Sequence, residues 1–188
     1  MLVAMPRWRR TGTPRRREGA TAVQVWPGRY TANIEGDFVV FLIGMRFNHP
    51  LRIRKWLPVV TAMPRMMKVL GQHPELGCLG SEGWFGRTTL LLQYWRDFDS
   101  LDRFSRDKDL PHLEPWRQFN RAVRDSGDVG IWHETFRVRA GEYEAVYGNM
   151  PAFGLAAAAT HLPAARKGNT AAARIGASTT DEPAVEPY

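Results

Sequence analysis

Disulfide bonds within the chain are excluded, because its 188 residues contain a single cysteine, Cys78. A lone thiol fits a reducing compartment, and the cytoplasm is the expected location. Long apolar runs are equally scarce. The longest, Phe38 to Met45, spans eight residues, against the roughly 20 that a bilayer-crossing helix needs. Arg9-Arg10 has the look of a twin-arginine export signal, but no apolar segment follows it. Zinc spacing is missing as well: there is no HExxH and no paired CxxC. Without CxxCH, any haem would be b-type and noncovalent.

A concentrated positive charge on the expected domain is also lacking, although the chain as a whole carries +7. Six arginines (Arg7, Arg9, Arg10, Arg15, Arg16, Arg17) crowd the first 20 residues against Glu18, and residues 156–188 balance to zero. The stretch 21–155 holds 17 basic and 15 acidic residues, a surplus of two. A protein that grips phosphates through its folded part needs a denser basic face. Neither nucleic acid nor membrane is therefore expected as a partner.

What is present reads as one domain between two tails. Residues 1–23 are punctuated by Arg, Gly and Pro and read as a disordered basic leader. Residues 156–188, rich in Ala, Thr, Gly and Pro, read as a disordered tail dispensable for folding. The folded part is expected over 24–155. Phe38 to Phe47 carries aromatic and β-branched residues on both alternating faces, the mark of a strand covered on both sides. Trp56 to Leu70 has helical apolar spacing. Leu76–Trp84 and Thr88–Trp95 form a predicted hairpin around Phe85-Gly86-Arg87. A short helix follows at Asp99–Ser105 with Asp99 or Ser100 as its cap. A second helix is expected over Pro115–Arg124, and a last strand over Val129–Val138. The order strand, helix, strand, strand, helix, strand defines an α+β fold, the ferredoxin-like split β-α-β unit. Its second apolar face must meet a partner subunit, a ligand or both, as in a dimeric α/β-barrel, and a homodimer is expected.

Three sets of residues carry a resemblance to a known family. The first runs Trp84-x-Gly86-Arg87, Gln93-Tyr94-Trp95 and Pro111-His112-x-x-Pro115-Trp116-x-x-Phe119-Asn120-Arg121. The second is Gly130-Ile131-Trp132-His133-Glu134. The third is Tyr143-Glu144-x-x-Tyr147-x-Asn149-Met150-Pro151-x-x-Gly154-Leu155. Over roughly residues 30–155 the chain resembles a bacterial family named for its likeness to an antibiotic-biosynthesis-type monooxygenase of the fumagillin pathway. The implied activity is an oxidoreductase of monooxygenase type. A fainter likeness, to haem-dependent aldoxime dehydratases, rests on Trp132-His133-Glu134 and the segment from Tyr143 to Gly154. It implies b-type haem with His112 as axial iron ligand, Trp116 beside the cofactor and His133 as proton shuttle. Those enzymes double the fold, whereas this chain has one unit.

The residues themselves give parallel readings. Period-two alternation puts Ile131, His133, Thr135 and Arg137 on one face and Trp132, Glu134, Phe136 and Val138 on the other. If the second, more apolar set packs on helices, His133 looks into the open face, where an imidazole exchanges protons near neutral pH. The competing reading is a hydrogen-bonded structural histidine. Arg87 has the planar fork to clamp a carboxylate or haem propionate, or is a solvated turn residue. Trp84, Tyr94 and Trp132 are candidate walls of an apolar pocket. Cys78 reads as a small buried hydrophobe. His49, His73 and His161 read as loop and tail histidines without a role. Three functions stay open: a monooxygenase on an apolar or aromatic metabolite, with haem or with none; a haem lyase turning an oxime into a nitrile; and a non-catalytic small-molecule binder.

Overall fold

The computed structural model describes residues 23–108, 117, 121 and 126–186. The leader expected over 1–23 falls almost wholly outside them, as do His112, Trp116 and nearly all of the helix expected over 115–124.

Two antiparallel sheets make up the fold. β2 (Phe38–Phe47), β3 (Cys78–Trp84), β4 (Leu90–Trp95) and β5 (Val129–Val138) form a four-stranded sheet in the order β3-β4-β2-β5. α1 (Ile53–Gln72) links β2 to β3, and α2 (Phe98–Arg106) follows β4. This order and connectivity are those of the ferredoxin-like split β-α-β unit. β1 (Trp26–Asn33) lies between β6 (Tyr147–Met150) and β7 (Thr160–Pro163) in a second sheet.

β2 and β5 pair over their full lengths, from Phe38↔Val138 to Phe47↔Val129. Directly opposed residues share a face, so this register sorts every side chain. The odd-numbered residues of β2 face the helices. Val39 and Trp95 pack with Leu70 of α1 and Leu101 and Phe104 of α2, while Met45 and Val129 pack with Trp56 and Val60. Cys78 joins the first cluster across a bulge between Cys78 and Gly80, and burial pushes its thiol pKa up. On the opposite face Phe38, Val40, Tyr94 and Val138 pack against Ala32, Leu155, Ala156 and Tyr147. The face expected to meet a partner is thus covered at one end by the chain's own second sheet.

Helix ends depart slightly from expectation. The cap of α2 is Asp97, whose carboxylate accepts from the Ser100 amide at 2.6 Å. Asp97 is still extended as it leaves β4, so Ser100 occupies the third helical position rather than the cap. α1 begins at Ile53 because its entry is pinned from outside. The carboxylate of Asp128, at the foot of β5, is buried and meets Arg52 Nη1 at 2.6 Å and His49 Nδ1 at 3.0 Å. Both the Asn48 and His49 amides donate to its carbonyl. His49 therefore belongs to a latch rather than to a free loop.

The largest correction concerns residues 156–188, expected as an unstructured tail. Small side chains let this segment lie flat on the domain. β7 pairs with β1 from Tyr30↔Pro163 to Asn33↔Thr160, and Ala156 and Ala164 are buried. A Cβ added to Gly80 would sit 2.8 Å from that of Ala158, so the approach needs glycine. Arg174, its side chain 4% exposed, binds Glu144 and donates to the carbonyls of Gly168 and Asn169. His161 sits in β7, stacked 4.5 Å from Tyr30 and edge-on to Trp26 at 5.4 Å. Its Nε2 is buried without a partner, and burial pulls its pKa down, which favours the neutral ring.

Two outcomes test this account. Arg174→Ala strips the cation from Glu144, itself 25% exposed, and removes the donors to the Gly168 and Asn169 carbonyls, and hydrogen bonds to charged groups are worth about 1.5–3 kcal/mol. Urea unfolding showing a loss below about 1 kcal/mol would return the segment to an unimportant tail. Arg52 holds the Asp128 carboxyl below its ordinary value of 3.8. Its stabilising effect is complete above that value and fades as pH falls through the depressed one. The stability gap between wild type and Arg52→Ala is accordingly full near about pH 6 and narrows in acid. A gap constant with pH would contradict the pairing.

Candidate active site on the open face of the sheet

The face of the four-stranded sheet away from the helices carries Leu42 and Gly44 of β2, Glu82 and Trp84 of β3, Leu92 and Tyr94 of β4, and Trp132 and Glu134 of β5. One end lies beneath the second sheet; the rest is open, with Trp84 43% and Phe136 48% exposed.

At the covered end three side chains gather the backbone at 154–156. Glu82 Oε1 accepts from the Gly154 amide at 3.2 Å, and the Tyr147 hydroxyl accepts from the Ala156 amide at 3.3 Å. The Leu155 backbone bonds the Tyr94 hydroxyl. Gly154 has φ +56°, and an added Cβ would stand 3.3 Å from the Tyr94 oxygen. Only glycine makes this turn without strain. Each phenol that accepts from an amide keeps its own proton to donate. Burial, with Tyr147 and Glu82 nearby, pushes the Tyr94 pKa up to about 12, and burial raises that of Tyr147. Both remain donors across the physiological range. Phe153 turns its ring edge to Trp84 at 5.9 Å and extends the apolar wall.

The predicted site residues separate. Trp84, Tyr94 and Trp132 share the open face, as expected. The Trp132 indole N–H is buried with no acceptor, 2.7 Å from where a Cβ on Gly44 would lie. His133 goes the other way. It pairs with Ile43, lies 5.9 Å from the Phe41 ring on the helix side, and is exposed. The expectation that it faces the open side is overturned, because Ile131, its neighbour on the same face, packs on Trp56 and Val60 of α1. Both faces of β5 bear apolar groups, so their relative hydrophobicity did not distinguish inside from outside. Arg87 is exposed at the hairpin, with its Nε 3.4 Å from the Phe47 carbonyl, at the far end of β2 from Val40. It joins neither His133 nor Tyr94.

Sequence reasoning missed Glu82, Tyr147 and Gly154 as site residues. Glu82 was legible through register: two residues before Trp84, it shares that residue's face. Two clefts, of 280 Å³ beside Asn33, Leu79 and Arg96 and of 400 Å³ beside Arg29 and Arg174, contain none of these residues. The proton-shuttle role implied for His133 would need that residue on the open face, and it stands on the helix side. His112 lies outside the described residues.

The fold is a ferredoxin-like unit of the α+β-barrel class, and its open face carries tryptophans, half-buried phenols and one half-buried carboxylate. Residues 38–155 match the model of the monooxygenase af470-like family, so the chain belongs to that family. Over 126 residues it is 33% identical to monooxygenase af470 of Aspergillus fumigatus, covering 61% of this chain and 44% of that protein. The chain thus spans less than half the length of that relative. A crystal structure of an aldoxime dehydratase in complex with butyraldoxime superposes with a TM-score of 0.55 at 16% identity, over 69% of this chain and 42% of the other. At that identity the likeness is one of fold. Among the described residues, no helix is long and apolar enough to cross a membrane.

The Gly154 turn gives a direct test. Gly154→Ala forces a Cβ into a backbone of φ +56° and ψ −126°, outside the wells open to other residues, at about 1–3 kcal/mol, and displaces the Tyr94 hydroxyl. A lowered melting temperature and a downward shift in the Tyr94 titration, followed by ultraviolet absorbance, are expected together. An unchanged tyrosine titration would mean that the turn does not hold the phenol.

Proposed function

We propose that the chain is a monooxygenase-type oxidoreductase that takes an apolar or aromatic small metabolite on the open face and lets O₂ react with the substrate itself, without haem. The observation that carries this reading is the convergence of Glu82, Tyr94 and Tyr147 beside the exposed wall of Trp84 and Phe153. Family membership supports the reaction class. The remaining open area is closed, in this proposal, by a second copy of the chain. A dry enclosure of that kind strengthens every charge interaction inside it.

The chemistry follows from the groups present. Glu82 uses one carboxylate oxygen on the Gly154 amide and has the other free to remove a proton from a methylene beside a ring carbonyl. The oxygen that gains negative charge is met by the phenolic protons of Tyr94 and Tyr147, fixed in place before reaction. The carbanion's electrons pass to O₂. One oxygen atom becomes the new carbonyl of the product and the other leaves as water, so no outside reductant is needed. The oxime-dehydrating alternative gave His133 the role of proton shuttle beside an axial His112, and His133 stands on the helix side.

Oxygen uptake against a panel of phenolic and enolisable polycyclic ketones tests the proposal. Glu82→Gln is expected to lower kcat by about 10²–10⁴-fold, the usual worth of a positioned acid–base group, with the melting temperature kept. Full activity in that variant would remove Glu82 from the mechanism. An absorption spectrum of the purified protein with a stoichiometric Soret band would overturn the haem-free reading.

A further inference from the structure

One end of the four-stranded sheet brings exposed apolar side chains and cations onto a common surface. The tip of the β3–β4 hairpin lies against the end of β2. The Phe47 amide donates to the Arg87 carbonyl at 2.9 Å, and Arg46 Nη1 donates to Thr88 Oγ1 at 2.7 Å. The first turns of α1 belong to the same place, because Trp56 packs 4.9 Å from the Phe47 ring and donates its indole N–H to the Pro50 carbonyl. Here Leu51 is 94% exposed, Phe85 75%, Ile53 50% and Leu57 43%. Among them stand Arg46, Arg52, Arg54 and Arg87, while residues 46–57 and 84–88 contain no acidic residue. Among the described residues, the carboxylate that meets this group is Asp128, buried and bound to Arg52. Four arginines against one carboxylate among the described residues exceed the surplus of two carried by the whole stretch 21–155. The charge of the domain is therefore polarised toward this end.

We propose that this end docks the protein onto an anionic lipid surface. Charge decides among occupants. A second copy meeting it symmetrically would set cations against cations, and the leader, with six arginines, would be repelled in the same way. Nucleic acid would satisfy the cations, but aliphatic Leu51, Ile53 and Leu57 gain nothing from phosphates and do not stack on bases. A membrane takes both. Leu51, Ile53 and Phe85 enter the boundary between headgroups and acyl chains while the arginines meet lipid phosphates and carboxylates. Docking of this kind needs no spanning helix. It also sets Trp84 of the open face next to the lipid, on the route an apolar metabolite dissolved in the bilayer would take.

The test is sedimentation of the full chain with vesicles of phosphatidylcholine alone and of phosphatidylcholine mixed with phosphatidylserine. Wild type is expected to bind the mixed vesicles, with a blue shift in tryptophan emission, and not the neutral ones. The double variant Leu51→Glu/Phe85→Glu is expected to lose at least about tenfold in partitioning, and Arg54→Glu to lose part of it with a weaker salt dependence. Unchanged melting of the variants shows that they fold. The leader is common to all of them and cannot produce the difference. Binding of the double variant equal to wild type would overturn the proposal, as would absence of wild-type binding. A duplex oligonucleotide that strips the protein from vesicles and binds the double variant undiminished would assign the surface to nucleic acid and overturn it too.

Discussion

A strand that is apolar on both faces cannot rest on one layer, and β2 is such a strand. Val39, Phe41 and Met45 require the helices on one side, and Phe38, Val40 and Leu42 require a cover on the other. Leaving even two such side chains in water forfeits about 1.5–3 kcal/mol each. The first demand is met by α1 and α2, whose inner residues fill two clusters around Trp95 and Met45. The second is met only in part from within the chain. The unmet portion is the uncovered face that carries the candidate site, so the place of that site follows from the same constraint that shapes the fold.

The parts of this architecture that were legible in the sequence are those governed by short-range periodicity. Phe38–Phe47 and Val129–Val138 stand as strands at the residues expected, because ten alternating side chains in a row leave little freedom in the assignment. The hairpin was legible through Phe85-Gly86-Arg87. The face of His133 was not. Alternation divides a strand into two sets without saying which set looks inward, and only the pairing of Ile131 with Met45 beside Trp56 breaks the tie. Residues 156–186 were illegible for another reason. Composition identifies chains that cannot bury large side chains, but Ala156 and Ala164 are buried and Ala158 meets Gly80 by close backbone approach, which needs small residues rather than large ones.

The candidate site was partly legible for similar reasons. Trp84, Tyr94 and Trp132 are large and aromatic, and their placement on a common face follows from strand register. Glu82 and Gly154 act through a contact between residues 72 positions apart, which no local pattern contains. His161 and His49 make the same point from the opposite side. Each sits in a stretch that reads as loop or tail, yet one is locked among Trp26, Tyr30 and Tyr147 and the other against a buried carboxylate.

The amides of 154–156 join these features. A segment that merely covered Phe38 and Val40 would need apolar side chains alone, and Leu155 with Ala156 supplies them. The buried amides it brings along must also find acceptors, since an unpaired one costs about 1–3 kcal/mol. Glu82, Tyr94 and Tyr147 are those acceptors. Satisfying the backbone fixes three ionisable groups at the edge of the uncovered area, with two phenols kept protonated by burial and one carboxylate oxygen left over. Polar groups demanded by the cover are thereby the same groups a reaction on the open face would use. A change that loosens the cover, such as loss of β7, is consequently a change in the site as well as in stability.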